Sequence, residues 1–489
     1  MGLRINTNVA SVTALRNLDK TDKQQLQSLE RLSTGLRINR ASDDPSGLVI
    51  SEQLRAQIGS LKQAVENSQF ASNLIGTAEA ALSQMSELLT KIRQSAIFAL
   101  NTGGTSREQV AAEQDSVDSA IAAIERIANT SRFASTQLLN GASGFRVTSQ
   151  DAGLLEVNPI SLVFDPKTSS TTYTVNVTTA GAQAKILASG TASDVVASGG
   201  PVVVRLTGSL GSEDIMLASG ADMATFENAI NMLRGSTGVY ASGSYMYSEA
   251  FGSKARISVE QIGGTGTFTA AGGTITKIGE HVDASGTDAV ANIDGAQFSA
   301  DGNLLNVTSN MFVGSVELAP DYSDPSTYPK SFQFTVEKSG LLFQLNTEGT
   351  VGDQHIIGLP NMTASSLGTV ERTIGGKTIG GYLASVRAGQ ANDLFKNPGN
   401  ATKIVDAAIN TVSDVRAYLG AFVNDTIEPN VASLNIAIEN LVASESEIRD
   451  LDFASETAEF TRSQILYQAG ISVLSQANLM PQAVLKLLQ

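Results

Sequence analysis

The chain has no cysteine and no tryptophan, and only two histidines in 489 residues. Without cysteine there can be no disulfide, no thiolate metal site and no thiol nucleophile. His281 and His355 are far apart in sequence, each in a stretch that reads as a loop, and are taken as surface residues. No unbroken apolar run of about 18 residues occurs, so no membrane insertion is expected. No P-loop, H-E-x-x-H or G-x-S-x-G is present. The stretch GGTGTFTAAGG at Gly263–Gly273 lacks the G-x-G-x-x-G spacing and sits among strands, so it is not read as a phosphate cradle. Positive charge is short as well, 33 Lys and Arg against 48 Asp and Glu. The resulting net charge of −15 argues against a nucleic-acid partner and favours solubility at high concentration. The opening MGLRINTNVA lacks the apolar core of a secretory signal peptide, so a protein leaving the cell would need another route. No catalytic, cofactor or metal residues are assigned.

What the chain does have is helix at both ends. Leu451–Gln489 reads as one helix with several apolar rows: Phe453, Phe460, Tyr467 and Leu474 recur every seven residues, with Leu451, Ala458 and Ile465 beside them. Leu466, Val473, Met480 and Leu487 make a third row. A helix apolar around so much of its circumference is buried on several sides. At the end of a chain, other copies of the protein are the simplest source of that cover. From Asn8 to Arg40, Leu15, Leu18, Leu26, Leu29, Leu32 and Leu36 fall at helical spacings in a basic segment. The acidic run Glu445, Glu447, Asp450, Asp452, Glu456 and Glu459 near the other end suits a neighbouring helix. Such exposed pairs contribute under about 1 kcal/mol each, so they are a cue to register rather than a source of stability.

Asp44-Pro45 is a cap and first-turn pair for a helix running to Leu100. Its seam is Leu54, Leu61, Ser68, Ile75, Leu82, Leu89 and Ala96, partnered by Ile58, Val65 and Ser72 and then by Ala78, Met85, Ile92 and Ala99. The change of offset predicts a phase slip near Ile75. Ser106-x-x-Gln109 is a capping box for a third helix with Val110, Val117, Ile121, Ile124 and Ala128 on one face. From about residue 145 to 395, short alternating runs such as TYTVNV, VVVRL and FQFTVE between Gly, Asp and Pro turns predict short strands. Met223–Arg234 is the one helix expected there. Helix resumes at Pro398, with an apolar stripe from Val405 through Leu434, Ile438 and Leu441 to Ile448 and a bend at Pro429. The expected fold class is α+β and multidomain: long coiled-coil or bundled helical arms from both termini around a β-rich inserted outer region. The expected divisions are 1–42 plus 453–489, then 43–150 plus 398–452 with a small β-hairpin, then 151–397, split at about 280/281.

GLRINTNVASVTALRNL and LERLSTGLRINRASDDPSGLVISEQLRAQI at one end, and NLVASESEIRDLDFASETAEFTRSQILYQAGISVLSQANLMPQAVLKLLQ at the other, closely resemble the terminal arms of bacterial flagellin. The resemblance covers 1–145 and 400–489, in order. It implies a structural subunit that self-assembles into the flagellar filament, the propeller of swimming motility. It also implies secretion through the flagellar type III route without a cleaved signal peptide. Implied partners are other copies of the chain, an export chaperone, the filament cap and the hook–filament junction proteins. The alternative within the superfamily is the junction protein itself; the ending QAGISVLSQANLMPQAVLKLL favours flagellin.

The residues expected to carry assembly are Leu15, Leu18, Leu29, Leu32, Leu36, Phe453, Phe460, Ile465, Tyr467, Ile471, Leu474 and Leu485. Those expected to pack a rod domain are Leu54, Ile58, Leu61, Ile75, Leu82, Leu89, Ile92, Leu434, Ile438 and Leu441. In flagellins recognised by the flagellin-sensing Toll-like receptor, the helix resembling Leu89–Phe98 carries Arg, four residues later Leu, and a Glu follows on the next helix. Here Lys91, Ser95 and Ser116 stand at those places, with Arg93 one step away, so weak host recognition is expected.

Overall fold

The helices begin and end where local chemistry marks them. The computed structural model describes residues 8–487 apart from 102, 163, 165–167, 188–196, 244, 271–272, 276–277, 310, 320–329 and 349–353. Side chains of 269–277 and 480–487 are also outside the description. Helix α1 spans Val9–Thr34; Asn8 Oδ1 accepts from the Ser11 amide at its start, and Gly35, at φ 73°, ends it. Helix α2, Pro45–Leu100, is capped by Asp44, whose Oδ1 accepts from the Gly47 amide at 2.9 Å. Helix α3, Arg107–Thr130, carries the full Ser106/Gln109 capping box. Helix α4 spans Met223–Met232 and the one-turn α5 spans Arg234–Thr237. Helix α6, Pro398–Phe422, passes through a π-helical turn, Val423–Ile427, into α7, Glu428–Arg449. The proline ring of Pro429 would crowd the carbonyl four residues back, at Asp425, and the wider π turn lies there. Helix α8 is Phe453–Leu487.

Two compact units result, one from residues up to Glu66 and from Pro429 onward, the other Asn67–Glu428. In the first, α1 and α8 lie antiparallel: Asn8 Nδ2 donates to the Ala477 carbonyl at one end, and Gly35 stands against the Phe453 ring at the other. The segments beyond Gly35 and before Phe453 are joined by backbone, Leu451 N to Gly35 O at 3.0 Å and Arg37 N to Arg449 O at 2.7 Å.

Helix α2 corrects one expectation. From Ile58 on, its inward stripe runs Ile58, Leu61, Ala64, Ser68, Ala71, Ile75, Ala78, Leu82, Met85, Leu89, Ile92, Ala96 and Ala99, with Leu61 half-buried and with Leu74 and Ser95 buried beside it. The two successive steps of three, from Ile58 to Ala64, put the phase slip there and not near Ile75. Ala64 and Ala71 take the partner row where Val65 and Ser72 were expected, and those two are half-buried beside it.

The strands of the second unit form two nested bodies. A sandwich of two five-stranded sheets uses chain from both sides of the insert. One sheet has the order Ala296–Ser299, Val290–Ile293, Ser170–Thr179, Lys330–Glu337, Arg146–Gln150. The other runs Leu304–Thr308, Phe312–Leu318, Leu154–Leu162, Gln354–Ile357, Leu341–Gln344. Between them Tyr173, Phe312 and Phe334 pack with ring centroids 5.4–5.5 Å apart. Gln183–Ser285 forms a separate module with its own core around Phe226, Phe268 and Ile230. The chain enters the module beside Ala182 and leaves beside Thr287, and these two exchange backbone hydrogen bonds at 2.8 and 3.1 Å. The expected split at 280/281 is therefore wrong. His281–Ser285 pairs with Arg256–Glu260 as the module's last strand, and the sandwich resumes only at Val290.

A second boundary also moves. Residues 359–397 return to the helices: Leu359 N donates to Ser143 O, and Met362 N to Leu139 O. Buried Gln114 of α3 donates to Val386 O at 3.0 Å and accepts from Leu394 N at 2.8 Å. The hairpin Gly368–Ile374/Lys377–Tyr382 lies in this segment. Its tip holds the module, since buried Arg234 donates to Ile374 O and Gly375 O and pairs with Glu249 Oε1 at 2.6 Å. Glu249 Oε2 also takes Lys403 Nζ of α6 at 2.6 Å. His355 is likewise not a loop residue; it lies in Gln354–Ile357, half-buried, its ring 5.6 Å from that of Phe422.

Candidate assembly interface

The side of α8 that meets α1 is a strict heptad seam: Glu456, Phe460, Ser463, Tyr467, Gly470, Leu474 and Ala477 are its buried or half-buried positions. On α1 the matching stripe is Ala14, Leu18, Thr21, Gln25, Ser28 and Leu32. Large residues alternate with Ser463, Gly470 and Ala477, so the two backbones approach closely at every second seam position. The sequence reading missed these small residues, although their seven-residue spacing was visible. Arg31 reaches Glu456 at 3.7 Å across the seam, and Arg449 reaches Glu52 at 2.8 Å between α7 and α2.

The predicted assembly residues divide into two sets. Leu18, Leu32, Phe460, Tyr467 and Leu474 fall on the α1–α8 seam, half-buried within the chain, and Leu36 is half-buried just beyond α1. Leu15, Leu29, Ile465 and Ile471 lie off the seam and are exposed, Ile465 at 62 %; Phe453 is exposed too, although its ring stands near Gly35 at the end of the pair. Val9, Val12, Leu26, Leu466, Val473 and Leu479 share that exposure. Leu485 lies outside the residues whose side chains are described. Of the rod residues, Ile58, Ile75, Leu82, Leu89, Ile92 and Leu434 are buried; Leu54, Leu61, Ile438 and Leu441 are half-buried.

The four receptor-facing candidates do not form one surface. Lys91 and Ser116 are exposed. Arg93 Nε pairs with Asp406 Oδ1 of α6 at 2.5 Å. Ser95 is buried and donates its hydroxyl to Glu113 of α3, which corrects its assignment as a receptor-facing residue. A serine four residues from Lys91 faces the neighbouring helix because the seam of Ile92 and Ala96 turns it inward.

Among the described residues no group of three or more His, Asp or Glu could hold a metal ion. No described helix is long and apolar enough to cross a membrane. What the first unit offers instead is apolar surface on a helix pair, the kind of patch that marks a protein–protein contact.

Comparison with known proteins agrees at both ends. A family described as the bacterial flagellin N-terminal helical region matches residues 5–143, and one described as the C-terminal helical region matches 402–488. The chain is 30 % identical to the B-type flagellin of Pseudomonas aeruginosa over 546 aligned residues, covering 100 % of each. It is 29 % identical to a flagellin of Clostridium tyrobutyricum, covering 97 % of this chain and 98 % of that one. Among solved structures, FlgL of Xanthomonas campestris shares 9 % identity at a TM-score of 0.27, covering 80 % of this chain and 99 % of that one. The flagellar cap protein FliD of Escherichia coli shares 12 % at a TM-score of 0.26, covering 53 % and 63 %.

Proposed function

The chain belongs to the bacterial flagellins and is a structural subunit of the flagellar filament; from that premise we propose that the outward apolar faces of α1 and α8 join one subunit to the next. The supporting observation is the half-covered state of α8. Helix α1 takes one side of it, and Ile465, Leu466, Ile471, Val473 and Leu479 are left in solvent. Burying such a side chain fully is worth roughly 1.5–3 kcal/mol, so several per subunit make a strong contact once neighbours supply the other wall.

We assign residues 1–42 with 453–489 to the filament's inner core, 43–144 with 359–452 to a surrounding helical layer, and 145–358 to the outward region. The free subunit's terminal arms are largely unfolded in this reading and gain helix on assembly. Ordering each backbone residue costs about 1–2 kcal/mol, and each arm has only the other to repay it before neighbours arrive. Export follows the flagellar type III route, with a chaperone on the C-terminal arm and the cap and junction proteins meeting the terminal helices. Recognition by a host Toll-like receptor is weak, because Lys91 lacks the planar fork of arginine and Arg93 is engaged by Asp406.

Negative-stain images of concentrated protein test the core assignment. Filaments are expected from the parent chain and none from Ile465→Asp at the same concentration. Normal filaments from that variant would remove the outward face from the contact.

A further inference from the structure

A cleft of about 770 Å³ lies between the sheet holding Leu154–Leu162 and the side of α6. Its floor is built from cross-strand rows. Leu304, Glu317 and Glu156 stand in register in one row, and Asn306, Ser315 and Asn158 in the next. Glu156 and Glu317 are therefore direct neighbours on adjacent strands of one face, an arrangement that repels when both are ionised. Arg372 neutralises Glu317 at 2.7 Å. Glu156 accepts from Asn158 Nδ2 at 2.8 Å and has no ion-pair partner among the described residues.

Across the cleft α6 presents Lys403, Asn410, Thr411 and Asp414 at helical spacing. Lys403 is already taken by Glu249, and Asp414 has no ion-pair partner among the described residues. Glu156 is half-buried, and burial pushes its carboxyl above the usual carboxylate range, helped by the Glu317 charge; Asp414 is largely exposed, and the partial burial it has raises its carboxyl too. Leu210 and Phe251 of the module add apolar surface to the lining. The cleft thus holds two carboxylates without counter-charge on opposite walls, an amide and hydroxyl row between strands, and an apolar portion.

We propose that this cleft binds a small linear organic polycation, an alkyl di- or triamine, with its ammonium groups at Glu156 and Asp414 and its methylenes along the apolar lining. A bare divalent cation fits less well. Such an ion gathers six or more oxygens around one point, and here the carboxylates come from separate walls. A neutral polyol would leave both charges unanswered.

The test is calorimetric titration of the full chain, kept monomeric at low ionic strength, with spermidine as probe. One saturable site is expected, and hexane-1,6-diol gives no binding heat. Glu156→Gln and Asp414→Asn keep the side-chain shape and should each weaken binding by about tenfold or more. Ala407→Phe, which fills the cleft with all charges intact, is expected to abolish it. Glu439→Gln, at an exposed position on α7, should change nothing. Melting curves establish that each variant is folded; if Ala407→Phe melts early, the two isosteric variants decide. Absence of a saturable site overturns the proposal. So does binding that the Glu156 and Asp414 variants leave unchanged, or that Glu439→Gln weakens equally, since that is diffuse attraction to an acidic chain.

Discussion

Leu18 of α1 packs against Gly470 of α8: a Cβ built on that glycine would stand 3.1 Å from the leucine Cδ1. The contact is tight but falls on the end of a flexible side chain. Gly470→Ala is therefore expected to be tolerated, and removing a mid-helix glycine favours the helix by about 1 kcal/mol. Gly470→Leu must separate the backbones and is expected to stop polymerisation. Sedimentation of assembled protein separates the two cases, and filaments from the leucine variant would mean the seam is not kept in the polymer.

Seam and outward face predict different defects. Leu474→Asp, on the seam, is expected to damage both the α1–α8 pair and assembly. Leu466→Asp, exposed in the single chain, is expected to damage assembly alone. An unpaired charge buried between subunits costs several kcal/mol, roughly 3–5 in measured cases, in every copy. Circular dichroism of the monomer with a pelleting assay checks the distinction; a Leu466 variant that pellets like the parent refutes it.

Excision of Gln183–Gly286, with Ala182 joined to Thr287 through a two-residue Asn-Gly turn, is expected to leave a folded, polymerising chain. The ends already exchange two backbone hydrogen bonds, so closing the gap adds little strain. A cut from Ala180 to Ala391 is expected to fail. It removes the strands that pair with Ser170–Thr179 and the carbonyl of Val386 that Gln114 reaches. Soluble expression and image contrast of the two deletions check this, and equal behaviour would show that the nested boundary is wrong.

Two half-buried carboxyls give stability slopes of opposite sign. At Glu249 burial acts upward, but Lys403 and Arg234 outweigh it and hold the carboxyl below its ordinary value. Its stabilisation is present above the ordinary carboxylate pKa near 4.5 and is lost as pH falls through the depressed value. Glu249→Gln is thus expected to lower the melting temperature at pH 7, with a smaller gap in acid. Glu156 is shifted upward, so its ionised form opposes folding as pH rises. Glu156→Gln is expected to melt at or above the parent temperature at pH 7, with the difference vanishing below pH 4.5. Parallel melting curves across pH 3–8 for both variants check the signs.

In a receptor reporter assay, Lys91→Arg with Ser116→Glu is expected to raise activation, since both sites are exposed. Ser95→Leu is expected to add none, because it places an apolar side chain against Glu113 and breaks the buried hydrogen bond. A truncated buried partner of this kind costs about 1–3 kcal/mol, visible as a lower melting temperature. A gain of activation from Ser95→Leu without loss of stability would restore that serine to the receptor surface.

Helix positions, caps and the filament role were legible in the amino-acid order, because each rests on interactions spanning only a few residues. Asp44-Pro45 starts α2, the Ser106/Gln109 box starts α3, and the terminal arms carry family-specific patterns over long continuous stretches. Strands were legible as strands for the same local reason: alternation shows which face is apolar. Their partners were not. Val290–Ile293 pairs with Ser170–Thr179 across the whole inserted module, and no local pattern records a neighbour that far away. The position of the slip in α2 shows only in which positions are buried, Ala64 and Ala71 ahead of Val65 and Ser72, and burial is a property of the folded chain. Ser95 turned inward for a carboxylate on another helix. The facing of Glu156 and Asp414 across one cleft likewise comes from the packing of α6 against a sheet, which only the tertiary structure decides.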